Sequence, residues 1–141
     1  MSYYLDTSAV VAALVAEPHS PAVLAWLEAI EPGTVFISDW SHTEVASALS
    51  LKVRTGALTL ELRAAAANAW HAMHRSNFPT LAVLPQHFET AARFTSQPDL
   101  GLRAGDALHV AIAREGGHRL VTLDREMADA ALQLGVPVER I

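Results

Sequence analysis

Two kinds of hydrophobic pattern alternate along the chain. Short runs of apolar, β-branched and aromatic residues predict buried strands, whereas longer segments with apolar residues every three or four positions predict helices that bury one face. The predicted strands are Ser2–Leu5, Thr34–Ile37, Leu81–Leu84, Arg119–Leu123 and Val136–Val138. The predicted helices are Thr7–Ala16, Pro21–Ile30, Ser41–Arg54, Thr59–Arg75, Pro85–Phe94, Ala104–Arg114 and Arg125–Leu134. Because strands and helices mostly alternate, we expect an α/β fold: a three-layer α/β/α sandwich with a central, mostly parallel sheet of four to five strands.

Residue types that favour helix ends support these boundaries. Ser20 and Thr59 are predicted N-caps, and Pro21 suits the first position of its helix. The predicted helix that begins at Ala104 carries small and branched apolar residues around most of its circumference, so we expect it to lie at the centre of the fold.

Length and composition bound the class of protein. The chain has 141 residues, of which 51% are hydrophobic and 18% charged, so residues 1–141 are expected to form one domain with a substantial core. Cysteine is absent, which excludes disulfides, thiolate metal sites and a cysteine nucleophile. Neither a membrane-spanning run nor a signal peptide is visible, and the expected location is therefore the cytoplasm.

The charge balance initially weighs against a nucleic-acid ligand. Ten basic and fifteen acidic residues give a net charge of −5, whereas nucleic-acid-binding proteins usually show a basic footprint. Nine of the ten basic residues are arginine, which binds phosphate with a planar fork of donors.

Acidic residues recur where sites form in parallel sheets, just beyond the carboxyl ends of the strands. Each has a structural alternative: Asp6 and Asp124 occupy predicted N-cap positions, Ser41 and Glu44 match a capping box, and Asp106 lies in a first helical turn. Together, however, four converging carboxylates repel one another and need a counter-cation. Mg²⁺ or Mn²⁺ would supply that cation, because hard divalent ions prefer oxygen ligands.

Other site types find less support in the sequence. Phosphate-binding glycine loops and the serine-hydrolase elbow are both missing. His71 and His74 are three residues apart on a helix and could bind a metal, but we expect them to be solvated surface residues.

Four motifs, in order, resemble those of the PIN-domain nucleases, and most closely the VapC-like toxins of bacterial and archaeal type II toxin–antitoxin pairs. The motifs are Tyr4-Leu5-Asp6-Thr7-Ser8, Thr43-Glu44-Val45, Leu102-Arg103-Ala-Gly-Asp106-Ala-Leu-His109-Val-Ala111 and Val121-Thr122-Leu123-Asp124. The resemblance covers the whole chain and is specific because all four motifs occur together.

The resemblance implies a PIN-like fold and a metal-dependent endoribonuclease. It places Asp6, Glu44, Asp106 and Asp124 in an acidic pocket as catalytic and metal-binding residues. There they would hold one or two Mg²⁺ or Mn²⁺ ions, partly through water, to activate water for attack on an RNA phosphodiester.

Residues beside the acids are candidates for supporting roles. Ser8 or Thr122 would hydrogen-bond a carboxylate or a metal-bound water, or else form local turn bonds to the backbone. Arg103 and Arg125 are candidates for phosphate contact, with a structural ion pair as the alternative for Arg103.

Four further residues near the motifs receive a mainly structural interpretation. His109 shares a helical face with Asp106 and is expected to be a packed or hydrogen-bonded structural histidine. Trp40 could stack on a base, but packing is favoured. Asp39 is interpreted as a helix cap and Asp129 as solvated, and both stay outside the site.

Two alternatives to the RNA-cleaving toxin stay open: a non-catalytic PIN-like module that only binds a partner protein, and a nuclease acting on DNA. The chain lacks the long insertions of related flap-type DNA nucleases, which ranks DNA below RNA. The resemblance also implies a homodimer and a small VapB-like antitoxin that covers apolar faces of the N-terminal helices and of the helix Thr59–Arg75.

Overall fold

The central sheet is entirely parallel. The structure, a computed structural model, describes all residues 1–141. Its strands are β1 Tyr3–Leu5, β2 Val35–Ser38, β3 Thr80–Leu81, β4 Arg119–Val121 and β5 Val138–Glu139, in the order β3-β2-β1-β4-β5. Every adjacent pair is parallel, which confirms the predicted α/β fold. All five strands therefore end at the same edge of the sheet.

Helices cover both faces of the sheet. They are α1 Thr7–Leu14, α2 Ser20–Ala29, α3 Asp39–Arg54, α4 Leu60–Ser76, α5 Pro85–Thr95, α6 Ala104–Gly116 and α7 Arg125–Gln133, with a 3₁₀ turn at Pro98–Leu100. One core cluster contains residues of α1, α3 and α4, and the other contains residues of α5, α6 and α7. The middle of α6 is buried on all sides, as predicted, because its small side chains allow close packing. No helix is long and apolar enough to cross a membrane.

The two edge strands differ most from prediction. β3 was predicted at Leu81–Leu84 and lies at Thr80–Leu81, whereas β5 was predicted at Val136–Val138 and lies at Val138–Glu139. Each of these strands has one neighbouring strand and only two residues that pair with it, so local hydrophobicity is a weak guide to which residues pair. β4 also ends early, at Val121 instead of Leu123.

Ser20 does not cap α2 as predicted but is its first residue. Its hydroxyl donates to the carbonyl of Val15 and accepts from the N–H of Glu17, at 2.9 Å in both cases. These bonds close the turn after α1, which ends at Leu14 instead of Ala16. By contrast, Thr59 caps α4 as predicted, accepting from the N–H of Leu62 at 3.1 Å.

The start of α3 was predicted wrongly, and the correction changes the position of Glu44. Ser38 is the N-cap, and its N–H donates to the Ser41 hydroxyl at 3.1 Å. The predicted capping box between Ser41 and Glu44 is therefore absent, and Asp39 is the first helical residue, not a cap. Glu44 lies more than a turn inside α3 and is free to face another element.

Candidate active site

Asp6 is the most deeply buried carboxylate and follows β1 directly. Its side chain is 2% exposed. One oxygen, Oδ1, accepts from the Ser8 hydroxyl at 2.7 Å and the Ala9 N–H at 3.1 Å, while Oδ2 accepts from the Thr122 hydroxyl at 2.6 Å. Asp6 thus caps α1 as well as lying at the strand edge. Burial raises its pKa from 3.8 to about 6, although the hydrogen bonds from Thr122 and Ser8 oppose this increase.

Two hydroxyls connect Asp6 to the segment Leu123–Asp124 across the β1–β4 pair. Leu5 lies opposite Val121 in the sheet, so the residues just beyond these strands are neighbours. The Thr122 hydroxyl that donates to Asp6 also accepts from the Asp124 N–H at 3.1 Å. The Ser8 hydroxyl likewise accepts from the N–H of Leu123 at 2.9 Å. Both hydroxyls thus contact the Asp6 carboxylate, and Thr122 also forms the local turn bond considered as its alternative, whereas the backbone partner of Ser8 lies in a distant segment.

Asp124 is exposed and caps α7. Its carboxylate accepts from the N–H of Met127 at 3.1 Å, as its N-cap interpretation predicts. The charge of the same carboxylate raises the pKa of Asp106. Capping and a position in the acid set are therefore compatible for this residue.

Asp106 links the four acids electrostatically. It is partly buried in the first turn of α6, and its pKa is raised by burial first and by Asp124 second, with Arg103 opposing the increase. Its charge also raises the pKa values of Asp6 and Glu44. The structure therefore brings all four predicted acids into one field of mutual repulsion, with Asp106 at its centre.

Glu44 lies against Gly105, a residue that the sequence analysis missed. A Cβ atom on Gly105 would come within 2.6 Å of Glu44 Oε1 and 3.4 Å of Trp40 Cζ2. Burial, followed by the charge of Asp106, raises the pKa of Glu44, while the nearby Trp40 indole lowers it. The one available sequence signal was a glycine inside the first turn of a helix, directly before a candidate acid.

A buried hydrogen-bond network lies beneath Glu44. His109 is 1% exposed, and its Nδ1 lies 2.7 Å from the Tyr4 hydroxyl. Its Nε2 lies 3.1 Å from Thr7 Oγ1 and 3.8 Å from Glu44 Oε1. The Tyr4 hydroxyl also contacts Ser38 Oγ at 2.8 Å. The structural interpretation of His109 is therefore confirmed. Tyr4 was predicted only as a buried strand residue, and its two hydrogen bonds were missed.

Burial fixes the protonation states in this network. It lowers the pKa of His109 to about 3, so the imidazole is neutral, and it raises the pKa of Tyr4, so the phenol stays protonated. We assign the single imidazole proton to Nε2, where it faces Thr7 and the Glu44 carboxylate; Nδ1 then accepts from Tyr4. The neutral N–H leaves the negative charge of Glu44 uncompensated.

The candidate basic residues are free of ion pairs. Arg103 and Arg125 are both exposed, and neither lies within 4.0 Å of a carboxylate oxygen, so the structural ion pair considered for Arg103 is absent. Trp40 is partly buried and packs against the core cluster of α5, α6 and α7, as the packing alternative predicts. Asp39 and Asp129 are exposed.

The histidines of α4 behave differently from each other. His71 is exposed, as predicted, but His74 is partly buried, and the expectation that it is solvated is wrong. Its ring packs edge-on against His42 with centroids 4.6 Å apart, and also against Trp70 at 5.1 Å. Burial lowers the pKa of His74.

Two surface grooves border the acids. A groove of about 420 Å³ includes Asp124 and Arg125, and a second of about 380 Å³ includes Ser8 and Asp124. A larger cavity, about 610 Å³, lies between α2 and the C-terminal end of α4, away from the acids. Size alone therefore does not identify the candidate site, which we place by its chemistry.

The four carboxylates suit a divalent ion held partly through water. All potential ligands are oxygen atoms, and no cation within 4.0 Å balances Asp6, Asp106 or Asp124. No group of three or more His, Asp or Glu side chains is arranged to hold an ion jointly. Mg²⁺ usually keeps several waters and takes only one or two direct carboxylate contacts, so it does not require such a group.

Comparisons with known proteins agree with the architecture. The sequence profile of the PIN domain family matches residues 3–132. No curated protein matches the chain.

Solved structures share the fold over nearly the whole chain. Mycobacterium tuberculosis VapC20, a sarcin–ricin loop cleaving toxin, has a TM-score of 0.73 at 18% identity, covering 92% of this chain and 95% of that one. VapBC-5 of the same organism, a member of the VapBC family of toxin–antitoxin systems, has a TM-score of 0.60 at 23% identity, covering 98% and 95%. Pyrobaculum aerophilum PAE2754 has a TM-score of 0.69 at 25% identity, covering 92% and 79%.

Proposed function

The chain belongs to the PIN domain family, and from this premise we propose that it is a metal-dependent endoribonuclease that acts as a toxin. The observation that carries the proposal is the electrostatic coupling of Asp106 to Asp6, Glu44 and Asp124 without a compensating cation. Capping accounts for Asp6 and Asp124, and the helix dipole favours Asp106 in the first turn of α6, but neither effect accounts for Glu44 inside α3. Carboxylates whose pKa values are raised by burial and by one another are typical of functional sites.

The chain's own residues would hold the reacting groups in place. A bound Mg²⁺ or Mn²⁺ would supply a nucleophilic water and stabilise negative charge on the phosphodiester. Ser8 and Thr122 hold both oxygens of Asp6 and so limit the directions in which this carboxylate can bind a cation. Gly105 leaves room for Glu44, and the neutral His109 ring lies 3.8 Å from its carboxylate without neutralising it.

RNA is the substrate that we favour over DNA. The match to VapC20, a sarcin–ricin loop cleaving toxin, covers 92% of this chain and 95% of that one. No long insertion that could surround a duplex interrupts the elements of the fold. The negative net charge does not oppose this, because the field at the site depends on the bound cation and on the nearby arginines.

We also propose a VapB-like antitoxin as the protein partner, and a homodimer in the cytoplasm. Leu24 on α2, Leu51 on α3, and Leu60 and Leu62 on α4 are all exposed by more than 40%. Of these helices, α2 and α4 were expected to need cover on their apolar faces, whereas α3 was not. The similarity to VapBC-5, from a toxin–antitoxin system, supports the same interpretation.

Cleavage of RNA by the purified protein tests the proposal. Wild-type protein should cut RNA with Mg²⁺ or Mn²⁺ and stop when EDTA is added. Asp106→Asn should abolish cleavage, whereas Glu89→Gln, which removes an exposed carboxylate on α5 outside the acid set and both grooves, should retain it.

Each other outcome selects an alternative. Cleavage of DNA but not of RNA would support the DNA nuclease. No cleavage of either nucleic acid, combined with metal-independent binding of a protein partner, would support the non-catalytic module.

A further inference from the structure

Arg140 lies at the acidic edge of the sheet because β5 ends one residue further along the chain than the sequence predicted. β5 is parallel to β4 and ends at Glu139, so Arg140 follows it just as Asp6 follows β1 and Thr122 follows β4. The sequence analysis ended this strand at Val138 and did not consider Arg140. The corrected boundary adds a cation to the edge where the four acids lie.

A continuous trough connects Arg140 with the residues that hold Asp6. The groove of about 420 Å³ has Arg125, Arg140 and His19 on its walls, together with Asp124. The groove of about 380 Å³ has Ser8 on its wall and also includes His19 and Asp124. Because the two grooves meet at Asp124, one extended ligand could occupy both and pass the acids.

The charges along this trough suit a polyanion. Arg125 and Arg140 are exposed and form no ion pair within 4.0 Å. The two arginines equal in number the carboxylate side chains of the groove of about 420 Å³, Asp124 and Asp129, so a divalent ion bound at the acids would leave this groove with a net positive charge. The cations lie on one side of Asp124, and Ser8 lies on the other.

Other basic residues near this part of the fold are already engaged. Arg119 Nε lies 3.5 Å from Glu139 Oε2, and Lys52 is paired with Glu17. The two arginines of the trough are therefore available to an external ligand, and their planar forks match phosphate oxygens.

We propose that Arg125, Arg140 and His19 bind a backbone phosphate of the RNA strand, displaced along the trough from the phosphate that is cleaved. This site rests on the proposed ribonuclease function and names the substrate contact that it needs. The group recognised is the phosphodiester, so the contact contributes affinity without selecting a base.

Steady-state cleavage and RNA binding together test this site. Arg140→Gln and the double variant with Arg125→Gln should increase KM about tenfold or more and change kcat less than twofold. Arg63→Gln is the matched control, because Arg63 is exposed on α4 outside both grooves. Binding is measured with labelled single-stranded RNA and the non-cleaving Asp106→Asn background.

Two further readouts distinguish a phosphate contact from a general loss of charge. The slope of log affinity against log salt should become less negative by about 0.7 for each lost contact with single-stranded RNA. Replacing one particular phosphate of the RNA with a neutral methylphosphonate should weaken binding by proteins that retain both arginines. The same replacement should have no effect on the double variant.

The inference and the function fail in different ways. If wild-type protein cleaves RNA but the Arg140 variants match Arg63→Gln in KM and salt dependence, the phosphate site is wrong and the ribonuclease stands. If wild-type protein neither binds nor cleaves RNA under any metal condition, the proposed function is wrong, and the phosphate site fails with it.

Discussion

Replacing Asp6 with asparagine should stabilise the metal-free protein. The carboxylate is buried, and burial raises its pKa from 3.8 to about 6, which means that ionising it costs folding free energy. At pH 7 this increase corresponds to ~3 kcal/mol of destabilisation by the charge. Asparagine has the same shape without the charge. Its Oδ1 can accept from Ser8 and Ala9, and its Nδ2 can donate to the Thr122 hydroxyl.

The pH dependence has a definite sign. Below about pH 4 the carboxyl is protonated in both folded and unfolded chains, so the charge costs nothing. Between about pH 4 and pH 6 the folded chain retains a proton that the unfolded chain releases, and wild-type stability falls as the pH rises. The advantage of Asp6→Asn should therefore be absent near pH 4 and complete above pH 7.

Urea unfolding in EDTA from pH 4 to pH 8 measures this difference. Asp129→Asn is the control, because that carboxylate is exposed and its replacement should change the free energy of unfolding by less than about 0.5 kcal/mol. Equal stability of wild-type protein and Asp6→Asn at pH 8, or a less stable variant, would refute the argument that the buried charge of Asp6 destabilises the folded protein.

Three other substitutions test single contacts of the site. Gly105→Ala should reduce cleavage at least tenfold by displacing Glu44, yet change the free energy of unfolding by less than about 1 kcal/mol, because alanine favours helix and the carboxylate can swing away; unchanged kinetics would contradict it. Tyr4→Phe should cost about 1–3 kcal/mol in urea unfolding, since it leaves buried His109 Nδ1 without a donor; a neutral effect would exclude the network. Thr122→Val removes a hydrogen bond that lowers the pKa of Asp6, so the acidic limb of the pH–activity curve should move to higher pH. An unchanged acidic limb would count against a role for that bond.

The sequence was sufficient for the sheet and the acids because both depend on local signals. The apolar runs before Asp6 and Asp124 define β1 and β4, and parallel pairing then brings their ends together. Capping and site roles could not be separated in sequence. The carboxylates of Asp6 and Asp124 each cap a helix and also lie at the acidic edge of the sheet.

The start of α3 shows where local patterns are ambiguous. Ser38 and Ser41 both favour an N-cap, and each is followed at capping distance by a polar residue, Ser41 or Glu44. The choice depends on where β2 ends, which is decided by pairing with β1 and β3. This tertiary contact releases Glu44 from capping and makes it available to the site.

The residues that sequence reasoning missed act through contacts between distant segments. Gly105 matters because Glu44 of another helix occupies the space of its absent side chain. Tyr4 matters because its hydroxyl reaches His109 on α6. Arg140 depends on the two-residue pairing of β5, which no periodicity can reveal. In each case the sequence shows the residue type but not the neighbour.

Calorimetric titration of the metal-free protein with Mn²⁺ tests most directly whether the four converging carboxylates form a metal site. The account predicts saturable binding by wild-type protein, binding weakened at least about tenfold by Asp106→Asn, and unchanged binding by the control Glu89→Gln, whose carboxylate is exposed outside both grooves. Absence of binding by wild-type protein, or equal binding by all three proteins, would contradict it.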